Sequence, residues 1–456
     1  MSERDPSAAE RFLQSIRDRN GVEARRLLAQ DPGLAHADPI VACCVGEVAV
    51  VAKALERDFR LATAPHEASR WPPLLHVSAS SFHAGEPERA RAIVRCAELL
   101  LEAGADPDAH TLSDPDDPES RLPALYFACV GDHPGLVELL LAHGADPNDG
   151  ESVYHAAELD RRDCLELLRA HGADLSRCHP RWNNTPLYFL AGYRELNPGM
   201  PAALEGMRWL LEHGADPDVP SYQTQETPLH MVARNGGPPA MAALLLEHGA
   251  APEARRADGR TPYALALRSG NAPVLGLLEA RGAASRDVAA TDRLLAACML
   301  GDAAAARAEL TAHPDLLEQL SAEERALPAQ AAHEGRIATV RLMARLGFDL
   351  GAEAAGGGTP LHHAAWAGNP EMVRLLLELG APVNVRDRQY GSSPLGWGAH
   401  GSRHCRAADR DYAAVMEALL DAGADRETSI NRWGEPPESF ATPRVAAVLK
   451  VRGFAA

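Results

Sequence analysis

The sequence predicts an all-α fold, a solenoid of about twelve helix-turn-helix units joined by short β-hairpin-like connections. Three observations lead there. A start–helix–stop–helix–stop pattern recurs along nearly the whole chain. The glycines that end its second helices, Gly214, Gly249, Gly282, Gly347 and Gly380, stand about 33 residues apart or near a multiple of that. Each helix is only about 8–10 residues long, too short to be stable without packed neighbours.

The clearest unit is "TPLHHAAWAGNPEMVRLLLELGAPVN", Thr359 to Asn384. Thr359 is a side-chain acceptor for the open N–H groups of a helix start. Pro360 occupies the first helical position, where its missing N–H costs nothing. Leu361, Ala364 and Ala365 form a narrow apolar face that lets a second helix come close, and Gly368 supplies the stop. The second helix, from about Pro370 to Leu379, carries a broader apolar side of Met372, Val373, Leu375, Leu376 and Leu377. Gly380 ends it, and Pro382-Val383-Asn384 leads on.

In chain order, the array opens with "RRLLAQDPGLA" from Arg25, where Asp31 replaces the glycine stop, and "AKALERDFRLA" from Ala52 does the same. "LPALYFACVGD" from Leu122 ends in "LLLAHGADPND", and a weaker copy starts at Val153. "NTPLYFLAG" from Asn184, "ETPLHMVARNGG" from Glu226 and "RTPYALALRSGN" from Arg260 follow, each with its own leucine-rich partner helix. "RAELTAHPDLL" from Arg307 resembles a second opening. This places a soft boundary around Ala284–Ala290 and an organisation into residues 1–286 and 287–456, stacked on each other. "LPAQAAHEGRIATVRLMARLGFD" from Leu327, the Thr359 unit and "SSPLGWGAHGS" from Ser392 complete the series, and "PRVAAVLKVRGF" from Pro443 reads as a closing helix with Lys450 and Arg452 facing water.

The T-P-L-H start repeated at this period resembles the ankyrin-repeat family, over nearly all of the chain. The resemblance implies a non-enzymatic scaffold or adaptor that binds a protein or peptide. It also implies two binding surfaces, the hairpin tips and the exposed first-helix residues just before the helix-ending glycine. At the tips stand Trp182, Tyr222 and Tyr390, with Arg181, Arg255, Arg256, Arg386 and Arg388 nearby. The first-helix column holds Glu158, Tyr193, Arg234, Arg268, His333, Glu334, Trp366 and His400. Exposed aromatic and arginine side chains are the types most enriched at interface hot spots. Trp366, Tyr390 and His400 are expected to share one groove over the last units. His230 and His362, at the T-P-L-H position, are expected to link units through hydrogen bonds rather than to bind a partner.

Four stretches exceed the repeat length. Ser81–Glu88, Gly192–Leu204 and Gly398–Asp411 fall between the two helices of their units, and the acidic "HTLSDPDDPES", His110–Ser120, falls between units. Insertions of this kind map to loops and binding faces, although drift in a tolerant turn also produces them.

The net charge of −18 disfavours nucleic acid or an anionic membrane and suits a basic partner, though it also serves solubility. No apolar run reaches a membrane span, and the charged N-terminus lacks a signal-peptide core. The eight cysteines read as reduced, small core residues. These observations point to the cytoplasm, and the arginine- and alanine-rich, lysine-poor composition points to a bacterial source. No nucleophile elbow, phosphate loop, C-x-x-C or H-E-x-x-H is present, so no cofactor or enzymatic activity is expected. The nearest to chemistry is "HGSRHC", with His400, His404 and Cys405. Gly401 and Ser402 argue against the helix that a shared metal face would need, and no fourth ligand is local; Ser402 and His404 suggest a nucleophile and base, but adjacency in sequence does not make that geometry. A metal-dependent or hydrolytic function seated in 398–411, or a homo-oligomeric structural subunit, is the alternative to a scaffold.

Overall fold

The computed structural model describes residues 6–67, 69–193, 199–283, 288–354, 357–405 and 410–454. Parts of two long stretches (194–198 and 406–409) and of the soft boundary (284–287) lie outside the described residues. The chain is an all-α array of paired helices. It falls into two compact units, one of residues 1–263 with 273–283, the other of 264–272 with 284–456.

In the first unit seven pairs follow one another, from Ala8–Arg17 with Gly21–Gln30 to Pro228–Arg234 with Pro239–Glu247. Asp31 and Asp58 do end their second helices without glycine, and a short turn of helix follows each, Leu34–Ala37 and Phe59–Ala62. The core is leucine and alanine with few rings. Leu125, Leu136, Leu140, Leu165 and Leu210 are fully buried, and Ala128, Ala156 and Ala157 allow the close approach of first helices.

The β-hairpin connection forms once among the described residues. His110–Leu112 pairs antiparallel with Arg121–Pro123, with His110 opposite Pro123. The acidic stretch is the extension of this hairpin. The other described connections are turns in which aspartate side chains accept backbone amides. Asp146, for example, accepts the Asn148 N–H at 2.9 Å and Asp216 the Asp218 N–H at 2.9 Å.

In the second unit the pairs run from Ala290–Leu300 with Ala303–Ala312, through Leu327–His333 with Ile337–Arg345 and Pro360–Trp366 with Pro370–Glu378, to Pro394–His404 with Tyr412–Asp421. Pro437–Phe440 and Pro443–Val451 close it. Leu361, Ala364, Ala365, Met372, Val373, Leu376, Leu395, Ala399, Val415, Met416, Leu419 and Leu449 form a continuous apolar core between these helices. Lys450 and Arg452 are exposed.

One expectation is corrected here. Residues 398–404 are not an insertion between helices; they continue the first helix of their unit to His404. Glycine, unfavourable in an isolated helix, is required by packing at Gly401, where a Cβ would stand 2.7 Å from the Trp366 carbonyl oxygen. A Cβ on Gly398 would stand 2.5 Å from Met416 Cε, the end of a flexible side chain that can move aside. Ser402 Oγ donates to the Ala399 carbonyl at 2.6 Å and accepts the Thr442 N–H at 3.0 Å, tying the helix to the closing segment.

The histidines of the T-P-L-H position link successive repeats. The Thr359 N–H donates to His362 Nδ1 at 3.0 Å, so Nε2 carries the proton and donates to the Ser392 carbonyl of the next repeat at 3.0 Å. His230 repeats this with Thr227 and the Arg260 carbonyl, at 3.1 and 3.2 Å. Burial holds His362 neutral, with its pKa lowered to about 4.

An aromatic groove in the second unit

Trp366 ends the helix Pro360–Trp366, and His363 lies one turn before it on the same side. On the neighbouring helix Pro394–His404, Trp397, His400 and His404 follow at spacings of three and four and so share a face. The two faces meet. The rings of Trp366 and His400 stack, with centroids 5.6 Å apart and 19° between planes. Trp397 meets Trp366 edge-on at 6.0 Å and His363 at 5.3 Å. Beyond His400 lie His404, stacked at 4.3 Å, and Phe440 at 5.6 Å.

Two loops complete the wall. Asp387, 2% exposed, organises the first. Its Oδ1 accepts the N–H groups of Gln389 at 2.8 Å and Tyr390 at 2.6 Å. Its Oδ2 accepts the N–H of Ser392 at 3.0 Å and the indole N–H of Trp397 at 3.0 Å. One carboxylate thus fixes both Tyr390 and Trp397, whose rings lie 5.7 Å apart. The second loop is folded by Asn431, whose Oδ1 accepts the Trp433 and Glu435 N–H groups at 3.1 and 3.0 Å. It is pinned to the first because the Arg432 N–H donates to the Tyr390 carbonyl at 2.8 Å and the Arg432 guanidinium to the Gln389 carbonyl at 2.8 Å. Trp433, two-thirds exposed, comes within 6.3 Å of Tyr390.

The result is an open groove of about 400 Å³ walled by Trp366, Tyr390, Trp397, His400, Trp433 and Phe440, with His333, His363, Asn431 and Glu435 among its polar lining. Burial lowers the pKa of His363 and of His400, so both rings are neutral at pH 7.

Of the candidate binding residues, the groove gathers Trp366, Tyr390, His400 and His333. Glu334, next to His333, is not among its walls; it accepts from Gln330 at 3.0 Å and pairs with Arg336 at 2.7 Å. The rest stand elsewhere. Trp182 is 60% exposed beneath the Arg181 guanidinium, 4.6 Å from its ring, and Arg181 also pairs with Asp117 at 2.9 Å. Tyr222 is the most exposed of the candidate rings, at 77%. The Tyr193 phenol donates to Glu158, and Arg234 is half-buried in an ion pair with Glu226 at 3.3 Å.

Arg268 is a correction. The first-helix column was expected to face water, yet Arg268 is 4% exposed and pairs with Glu324 at 3.6 Å. The cause is an additional short helix, Ala322–Arg325, whose Glu324 is itself nearly fully buried.

Sequence reasoning missed Trp397, Trp433, Phe440 and the organising Asp387. Trp433 had a readable signal: it stands three residues before Pro436, the N-cap of a short helix, as Trp182 stands before Thr185 and Tyr390 before Ser393. Trp397 and Asp387 carried none, because their roles depend on a contact across ten residues of chain.

His400 and His404 share a helix face, but among the described residues no group of three or more His, Cys, Asp or Glu side chains is placed to hold a metal ion. Among these residues no helix is long and apolar enough to cross a membrane.

A family model described as ankyrin repeats (3 copies) fits residues 89–179, 200–292 and 294–387. The chain belongs to the ankyrin-repeat family. Ankyrin repeats generally serve as protein–protein interaction modules and are typically non-enzymatic. Among solved structures, the chain is similar to the ankyrin repeat domain of human ASB11, at 24% identity over 53% of this chain and 96% of that one, with a TM-score of 0.39. The last matched segment ends at Asp387, so the aromatic groove lies across the end of the matched repeats: Trp366 falls inside it, and Tyr390, Trp397 and Trp433 fall beyond.

Proposed function

We propose that this ankyrin-repeat chain is a non-enzymatic scaffold of the bacterial cytoplasm that seats a partner protein or peptide in the groove around Trp366. The observation that carries the reading is the groove itself. Six rings from three helices and two loops enclose about 400 Å³ of accessible space, and the packed array leaves it open. Large rings held by packing lose little entropy on binding, which is how a rigid surface gains affinity. Trp182 and Tyr222 in the first unit present single exposed rings and suit auxiliary contacts at turn tips. The cytoplasmic part rests on the cysteines, all free, six of them buried.

The test is selection of peptides from a displayed random library against the full chain, followed by their affinity for a Trp366→Ala/Tyr390→Ala double variant. The reading expects the enriched peptides to lose at least about 2 kcal/mol of binding on the variant, with circular dichroism and thermal unfolding close to the parent. Equal affinity for parent and variant rejects it.

A further inference from the structure

The groove has an electrostatic character that its aromatic walls alone do not explain. Among the described residues, no lysine or arginine lines it. Two guanidinium groups near it already have partners: Arg432 donates to the Gln389 carbonyl at 2.8 Å and lies 6.0 Å from the Trp433 ring, and Arg403 donates to the Ala441 carbonyl at 3.3 Å. His363 and His400 are uncharged at pH 7 for the reason given above. Glu435 brings a carboxylate to the lining. It is exposed and holds a single side-chain partner, Asn431 Nδ2 on Oε2 at 2.8 Å, among the bonds described. A second carboxylate, Asp387, lies buried directly behind the Trp397 indole.

We infer that the groove receives an arginine side chain of the partner segment, with its guanidinium against the Trp366, Trp397 and Tyr390 rings and its charge matched by Glu435. This rests on the reading of the groove as a peptide seat and adds the class of side chain it takes. Ring faces are negative, and a cation held over one out of water gains substantially more than at an exposed site. Several rings here meet edge to face, which leaves faces as well as edges turned to the space between them. Guanidinium suits this space better than ammonium: it is planar, stacks on rings, is weakly hydrated and meets a carboxylate with two parallel N–H groups. The chain already uses this contact elsewhere, with the Arg181 guanidinium 4.6 Å from the Trp182 ring and that of Arg17 5.3 Å from Trp71. An apolar occupant would be served by the rings but would leave the charge of Glu435 to water and Asn431.

The test titrates the full chain with capped pentapeptides Gly-Ser-Xaa-Ser-Gly, where Xaa is Arg, Lys, Leu, Phe or Glu, and follows the indole N–H signals of Trp366, Trp397 and Trp433 by NMR. The arginine peptide is expected to shift these signals saturably and to bind at least about tenfold more tightly than the leucine, phenylalanine and glutamate peptides. Glu435→Gln, which keeps the acceptor for Asn431, is expected to weaken the arginine peptide about tenfold and leave the leucine peptide unchanged. Tighter binding of leucine or phenylalanine at the same indoles overturns the inference while leaving the groove a peptide seat. Equal binding of lysine and arginine overturns the assignment to guanidinium. No response to any pentapeptide also overturns it. The reading of the groove as a seat then stands or falls separately, on whether library-selected peptides discriminate the Trp366/Tyr390 variant.

Discussion

Replacing Asp387 with alanine removes the acceptor of four hydrogen bonds at once. Water can reach the Gln389 and Tyr390 amides on the exposed side of the loop, so their loss costs little. The Ser392 N–H and the Trp397 indole N–H are different, since their residues are 3% and 8% exposed. Each buried donor left without an acceptor costs ~1–3 kcal/mol, and the relief from no longer burying a carboxylate offsets part of the sum. A local loss of ~3 kcal/mol is the expected balance. Because each repeat contacts only its neighbours, the loss should remain in the last repeats. Hydrogen exchange followed by mass spectrometry reads this directly: amides in 387–400 should exchange about a hundredfold faster in Asp387→Ala, and those of Ala124–Ala142 should be unchanged. Asp387→Asn should behave nearly as badly, because its amide group turns donors toward donors. Exchange in 387–400 within about threefold of the parent would refute the idea that this carboxylate organises the groove wall.

The other predictions concern pH and packing. His362 is neutral in the fold with a pKa lowered to about 4, so the unfolded chain binds the extra proton between about pH 6.5 and 4; stability should fall by up to ~3 kcal/mol over that window as pH drops. His362→Gln should flatten that slope in urea titrations at several pH values, and an unchanged slope would count against it. His155 in the first unit has the opposite sign. Burial opposes its charge, but bonds to Glu151 and Glu158 outweigh burial and raise its pKa to about 9. Its contribution of ~2 kcal/mol should be complete below pH 6.5 and lost as pH rises through about 9; an imidazole NMR titration with a midpoint near 6.5 would contradict this. Gly206→Ala places a Cβ 1.8 Å from the Ala157 carbonyl oxygen, which is backbone and has little freedom to give. The unfolding free energy of the first unit should fall by ~3 kcal/mol despite alanine's better helix propensity, and a gain in stability would show that the two helices separate at no cost.

The paired-helix architecture was legible because each repeat states its own boundaries. Thr359, Pro360, Gly368 and Gly380 act within one turn of where they stand, so local chemistry is enough to place them. The gathering of Trp366, Tyr390 and His400 followed from the period, which sets equivalent positions side by side. Features that depend on non-local contacts were not legible. Arg268 looked exposed because the short helix carrying Glu324 has no counterpart in the repeat pattern. The helix through Gly398 and Gly401 looked unfavourable because the Trp366 carbonyl, which demands glycine at 401, lies in another segment. Asp387 looked like an ordinary turn aspartate, and only the fold brings the Trp397 indole to its second oxygen.

The central claim is that the groove around Trp366 is where a partner sits. Its most direct test is the hydrogen-exchange footprint of the tightest library-selected peptide on the full chain. The account expects protection confined to Thr359–Trp366, residues 387–400 and the Asn431–Glu435 loop. Protection confined to the turn tips at Trp182 and Tyr222, with the groove exchanging as in the free chain, would contradict it.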